Sequence, residues 1–249
     1  EDAVYISWHS NGFDGTARGT ESYVHNGVTY PRTAGSTELQ HFVHKELIQD
    51  IRSGWDATWI DRGMKEDNFG ELRMLYDSDT EDGDPDASLP GVLLEIAFHD
   101  HPEDAAALKN PRFNQLAARA IYQGIVRYFE HRDGLDRTLA PEPPTHLRVE
   151  NVGSGTVRVS WEPPPVDTYN LGGEAATAYQ VYTSTDGFAW REPITVIGNH
   201  HDLTGLTNGS TVYVRVTAIN TGGESFPTEV LGARVGDPRL VIVNGFDKL

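Results

Sequence analysis

The sequence predicts an α/β domain, with a mostly parallel sheet flanked by helices, followed by an all-β immunoglobulin-like sandwich. Three observations carry this. The unbroken apolar run "GVLLEIAF" at 91–98 has the length and composition of a strand buried on both faces, as parallel sheets require. Strand-like and helix-like periodicities alternate through the first half of the chain. After "DGLDRTLAPEPPTH" at 133–146, rich in Pro and polar residues, the apolar period changes to two. These features divide the chain into a first domain at 1–132, a linker at 133–143, a sandwich at 144–236, and a strand at 237–249 that reads as the start of a further domain.

Val4, Ile6 and Trp8 alternate with Tyr5 and Ser7, giving a strand that ends at His9. Residues 12–35 carry five glycines with much Thr and Asn and read as a long surface loop. Thr37 and Gln40 have capping-box spacing. The apolar positions Leu39, Phe42, Val43, Leu47, Ile48 and Ile51 then recur at helical spacing and stop at Gly54. "WIDRGMKED" at 59–67 reads as a turn-like connector and "ELRML" at 71–75 as a short strand. Residues 77–86 hold six acids in ten positions, a solvated loop or a cation clip. Asp82 stands where an EF-hand loop needs Gly, which excludes that motif. Pro102 opens a short helix through Leu108, and Asn110 with Pro111 opens a longer one to about His131. In the second half "HLRVEN", "TVRVSWEP", "AYQVYTS" and "TVYVRVTAIN" are alternating strands between Gly, Pro and Asn turns.

The 249 residues carry 37 acids against 20 Lys and Arg, a formal charge of −17. Both halves are acidic, which argues against nucleic acid or an anionic membrane as partner. No apolar run approaches the length of a membrane span. There is no cysteine, so disulfides and thiolate zinc sites are excluded.

Glu95 is the most informative residue, because it interrupts the apolar run between Leu94 and Ile96. A carboxylate there costs several kcal/mol, on the order of a buried charge, unless it is paired or faces a cation. It lies near the carboxyl end of a strand, where open α/β sheets place their sites. His9 also ends a strand, and a neutral imidazole beside a carboxylate suits zinc and a base toward water. Asn11 either holds the loop after His9 or simply forms the turn before Gly12. A catalytic zinc takes three protein ligands. His41 and His44, and His99 and His101, are possible ligands, but the first pair flanks an apolar helix face and His101 precedes a helix start. The remaining ligands are therefore expected upstream of Glu1, and the chain is expected to be a piece of a longer protein.

The motifs of the first domain resemble the zinc-dependent N-acetylmuramoyl-L-alanine amidases of bacterial cell walls over roughly residues 3–130. Ser7, His9 and Asn11 match the family's Ser-x-His-x-Asn strand end, "GTES" at 19–22 echoes its Gly-Val/Thr-Glu segment, and "DRGMK" at 61–65 its Asp-Arg-Gly-x-Lys connector. "LLEIAFHDHPED" supplies its Leu-x-Glu-x-x-Phe strand, with His101 where Asn is expected before Pro102 and Glu103. "AARAIYQGIVRYF" matches its terminal helix. The resemblance implies a Zn²⁺ cofactor with His9 as ligand, Glu95 as catalytic base and Asn11 in support. The family's other two ligands lie in an upstream segment this chain does not contain, so the chain by itself is expected to be weakly active or inactive. It also implies peptidoglycan as substrate, hydrolysis of the amide between N-acetylmuramic acid and L-alanine, and a secreted or cell-envelope location in a bacterium.

The second domain resembles a fibronectin type III module. Trp161 is its strand-B tryptophan and Tyr213 its tyrosine-corner residue, both expected in the core, and Trp190 is a candidate exposed aromatic. Two other functions fit the same residues: a zinc peptidase acting on stem peptides, and a non-catalytic cell-wall-binding or adhesion protein.

Overall fold

The computed structural model describes residues 3–76, 88–153, 155–164 and 172–236. The acidic stretch 77–86 and the strand expected at 237–249 lie outside them. The chain divides into two compact units between Arg137 and Thr138.

In the first unit, β1 (Tyr5–Asn11), β2 (Thr20–His25), α1 (Ser36–Gly54), β3 (Asp61–Asp67), α2 (Gly70–Arg73), β4 (Gly91–Phe98), α3 (Pro102–Leu108) and α4 (Pro111–Asp133) follow in order. The sheet order is β1-β4-β2-β3. The β1–β4 and β2–β3 pairs are parallel, and the central β4–β2 pair is antiparallel. All eight residues of β4 are buried, as its apolar run requires. Val92, Leu94 and Ile96 pack with Leu39, Val43, Leu47 and Ile51 of α1 and with Phe113, Ala117 and Ala120 of α4. The opposite side of β4 carries Glu95.

Four local expectations are corrected. Residues 12–35 are not a continuous surface loop, because Thr20–His25 forms a central strand. Its polar side chains are buried with partners. Thr20 Oγ1 donates to Ile96 O at 2.7 Å, Ser22 Oγ pairs with His44 Nδ1 at 2.9 Å, and His25 Nε2 with Tyr30 O at 2.9 Å. The connector at 59–67 contains the edge strand β3, whose polar composition suits an edge facing water. "ELRML" begins within a one-turn helix, not a strand. The capping box also fails. Gly35, at φ +81°, starts α1 with no side-chain cap. Gln40 is instead buried and donates to the carbonyls of Ser22 and Lys65, both at 3.0 Å. At α4 the expected cap is present: Asn110 Oδ1 accepts from Arg112 N at 2.9 Å, and Gly134 ends the helix in the left-handed region.

The second unit is a sandwich of antiparallel strands. One sheet pairs β5 (Thr145–Gly153), β6 (Thr156–Glu162) and β9 (His200–Leu203). The other runs β11 (Gly223–Glu224), β10 (Thr211–Asn220), β7 (Ala178–Ser184), β8 (Ile194–Val196), with β12 (Leu231–Arg234) pairing β10. Trp161 fills the core among Val157, Val159, Val181, Val214 and Val216. Tyr213 does not belong there. Alternation along β10 turns Val212, Val214 and Val216 inward and Tyr213 outward, against Gly187 and Gly232. Trp190 is half-buried under the Arg215 guanidinium, 4.4 Å from its ring centre, and is not a free aromatic platform.

Candidate active site

The site is built on the sheet face opposite α1 and α4. His9 and Glu95 are register partners across the parallel β1–β4 pair, and Glu95 and Glu21 are partners across β4–β2. Paired residues on neighbouring strands project to the same side. His9, Glu95 and Glu21 therefore form one row across three strands. A bulge between His9 and Asn11 shifts the register so that Asn11 pairs with Phe98.

Glu95 is 9% exposed, and its Oε2 is buried with no hydrogen-bond partner among the described residues. Burial pushes its carboxyl above the usual carboxylate range. The nearby His9 opposes that shift, and the Glu21 charge adds to it. Glu21 has the opposite environment. It is 3% exposed, and burial would raise its pKa, but donors from Lys65, Arg62 and Tyr23 outweigh burial and hold it below the ordinary value. Oε2 accepts from Arg62 Nε at 2.8 Å and from Lys65 Nζ. Oε1 accepts from Tyr23 Oη at 2.8 Å and from Asn11 Nδ2 at 2.7 Å. Two adjacent carboxyls are thus pushed apart, one toward the neutral form and one firmly ionised.

Asn11 joins this network through its amide nitrogen, while its Oδ1 accepts from Gly12 N at 2.8 Å in the turn that follows. The loop after β1 is tied to the loop after β4. His99 N donates to Asn11 O at 2.8 Å, and the Asp100 carboxylate accepts from Phe13 N and Gly15 N at 2.8 and 3.0 Å. On the open side of His9, its Nε2 lies 3.5 Å from Glu71 Oε1 on α2.

The other histidines are placed elsewhere. His44 is buried between Ser22 and Asp61, and its Nε2 lies 2.9 Å from Asp61 Oδ1, so it ties α1 to β2 and β3. His41 is exposed on α1. His99 lies beside Ser10, 3.3 Å from its Oγ, and His101 occupies the backbone N-cap of α3 with no side-chain cap bond. Among the described residues no three His, Asp or Glu side chains converge to hold a metal ion. A histidine in register beside a glutamate whose Oε2 has no partner among the described residues nevertheless suits part of a zinc site, since zinc takes nitrogen and oxygen donors of these kinds.

Sequence reasoning missed Glu21, Arg62, Lys65 and Glu71 as members of the site. For Glu21, Arg62 and Lys65 a signal existed: they lie in the "GTES" and "DRGMK" segments that resemble family motifs. For Glu71 the chain offered none, because the contact depends on where α2 sits.

Comparison with known proteins agrees with this architecture. Residues 142–234 match the fibronectin type III domain, and residues 1–127, about half of the chain, match the N-acetylmuramoyl-L-alanine amidase family. An uncharacterized cell wall amidase of Bacillus anthracis is 33% identical over 130 residues, 51% of this chain and 21% of that protein. The N-acetylmuramoyl-L-alanine amidase LytC of Bacillus subtilis is 28% identical over 127 residues, 51% of this chain and 21% of its own length. Among solved structures, the N-acetylmuramoyl-L-alanine amidase of Clostridium difficile 630 is 26% identical, covers 51% of this chain and 57% of that one, and has a TM-score of 0.40. The chain spans only about a fifth of the length of the Bacillus anthracis and LytC relatives. By the match over its first half, the chain belongs to the N-acetylmuramoyl-L-alanine amidase family.

Proposed function

We propose that the first domain takes part in zinc-dependent hydrolysis of the amide between N-acetylmuramic acid and L-alanine in peptidoglycan, at the cell surface or in the envelope. Family membership supports the substrate class. The observation that carries the chemistry is the register pairing of His9 with Glu95, whose Oε2 has no hydrogen-bond partner among the described residues. In this reading His9 is one ligand of a zinc ion whose remaining ligands are further donors, and Asn11 fixes the strand end that presents it. When bound, zinc supplies Lewis acidity toward the amide carbonyl and lowers the pKa of water.

Glu95 acts as the base. Its carboxylate takes the proton of the attacking water and passes it to the leaving amine of L-alanine. Glu21 stays ionised and holds Asn11, so it shapes the site without exchanging protons. The fibronectin-like domain is assigned a spacing or presenting role.

The test is Glu95→Gln in the full-length protein, assayed on purified peptidoglycan for new L-alanine amino termini. Retained wild-type turnover would sink the assignment. A shortened stem peptide with an intact muramoyl–alanine bond would favour the peptidase, and no cleavage by the wild-type protein would favour the wall-binding reading.

A further inference from the structure

Beyond Glu21, the row across the sheet ends in two cations on the edge strand. Arg62 and Lys65 both donate to Glu21 Oε2. Each is held by a second contact. The Arg62 guanidinium lies 4.8 Å from the centre of the Phe98 ring, and Lys65 Nζ lies 5.7 Å from that of Tyr23. Phe98 and Tyr23 belong to the strands that carry Glu95 and Glu21. The cations are therefore fixed from behind by a buried carboxylate and from the side by aromatic rings.

Their donor capacity exceeds what the protein uses. Arg62 spends Nε on Glu21, and neither of its Nη groups has a hydrogen-bond or ion-pair partner among the described residues. Lys65 offers three donors and spends one on Glu21. Their side chains remain 33% and 37% exposed. Two positive charges against the single charge of Glu21 leave a positive point in a strongly acidic chain. A guanidinium held through Nε presents its Nη pair as a fork, the geometry that recognises a carboxylate.

We propose that Arg62 and Lys65, oriented by Glu21, form a carboxylate-binding subsite beside Glu95 that takes a carboxylate of the substrate's peptide stem. The inference rests on the peptidoglycan reading above. In the uncut substrate the muramoyl lactyl group is tied up as an amide, so the free carboxylates lie on the peptide. An anchor on that side of Glu95 holds the stem while the bond at its amino end is cleaved, and it selects stems whose carboxylate is not amidated.

The experiment is a calorimetric titration of the full-length protein carrying Glu95→Gln, which keeps the ligand uncut. The probes are a muramoyl peptide with a free α-carboxylate on its second residue, the same compound as its primary amide, and N-acetylmuramic acid alone. The free acid is expected to bind about tenfold more tightly than the amide, as for one charge-assisted contact. Arg62→Gln and Lys65→Gln, taken singly so that Glu21 keeps one cation, should each shrink that preference by weakening the acid more than the amide, with the fold checked by thermal melting. An unchanged preference in both folded single variants overturns the proposal, as does equal weakening of both ligands. Absence of binding by either peptide also overturns it. So does binding of N-acetylmuramic acid with the same dependence on Arg62, because the cations would then read the product's lactyl carboxylate. Failure of the amidase reading shows separately, as absence of cleavage by the wild-type protein.

Discussion

His9 and Glu95 face each other as register partners across the parallel β1–β4 pair, on the sheet face away from the helical core. Residues 86 positions apart in sequence thus become neighbours across one ladder spacing of about 5 Å. In the proposed reaction this pairing puts Glu95 at the reacting water.

Glu95→Gln is expected to lower kcat by about 10³-fold, within the range for removal of a general base. Rate measurements on peptidoglycan at saturating substrate check this. The base works only when deprotonated, so the wild-type rate should fall on acidification as Glu95 takes up a proton.

The same substitution should stabilise the metal-free protein at neutral pH. A carboxyl whose folded pKa exceeds its unfolded pKa has no effect on stability below both values. It destabilises increasingly as pH rises from the unfolded to the folded pKa. Gln removes that charge and is expected to add about 1 kcal/mol near neutrality, the scale of one unpartnered buried polar atom, and nothing in acid. Thermal melts of both proteins across pH measure the difference.

Glu21→Gln should do the reverse. The donors around Glu21 hold its pKa down, so its stabilisation is complete above the unfolded carboxylate pKa and is lost as pH falls through the folded one. Breaking a fully buried pair costs about 3–5 kcal/mol. Arg62 and Lys65 are a third exposed and can turn to water, so about 2 kcal/mol is expected here. Denaturant titrations at neutral and acidic pH should show the loss near neutrality and its shrinkage in acid.

Gly124→Ala should destabilise the first domain despite the better helix propensity of alanine. A Cβ at 124 would sit 2.5 Å from Val43 Cα and 3.0 Å from Phe42 O, at the contact of α4 with α1. Relief of that backbone clash costs about 1–3 kcal/mol against a propensity gain of about 1. A lowered denaturation midpoint is the expected reading.

In the sandwich, Trp161→Ala should cost about 3–5 kcal/mol, because Trp161 is buried in the core. Tyr213→Ala should cost distinctly less, since its ring lies outside that core. Equal losses in chemical denaturation would return Tyr213 to the interior.

The sequence alone determined the class of both units. An eight-residue apolar run, two amphipathic helices and a switch to period two are local patterns, and burial enforces them wherever they occur. It also singled out His9 and Glu95, because a histidine at a strand tip and a carboxylate inside an apolar run are conspicuous in one dimension. The strand at Thr20–His25 is hard to read from the chain, because most of its side chains are polar and two of them, Thr20 and Ser22, are satisfied by the distant partners Ile96 and His44. For the same reason only the tertiary structure decided the company Glu95 keeps. Sheet register sets Glu21 beside it, and packing brings Asn11, Arg62 and Lys65 onto Glu21. Pairings across a sheet leave no periodic trace in the chain, because their energy depends on which strands become neighbours.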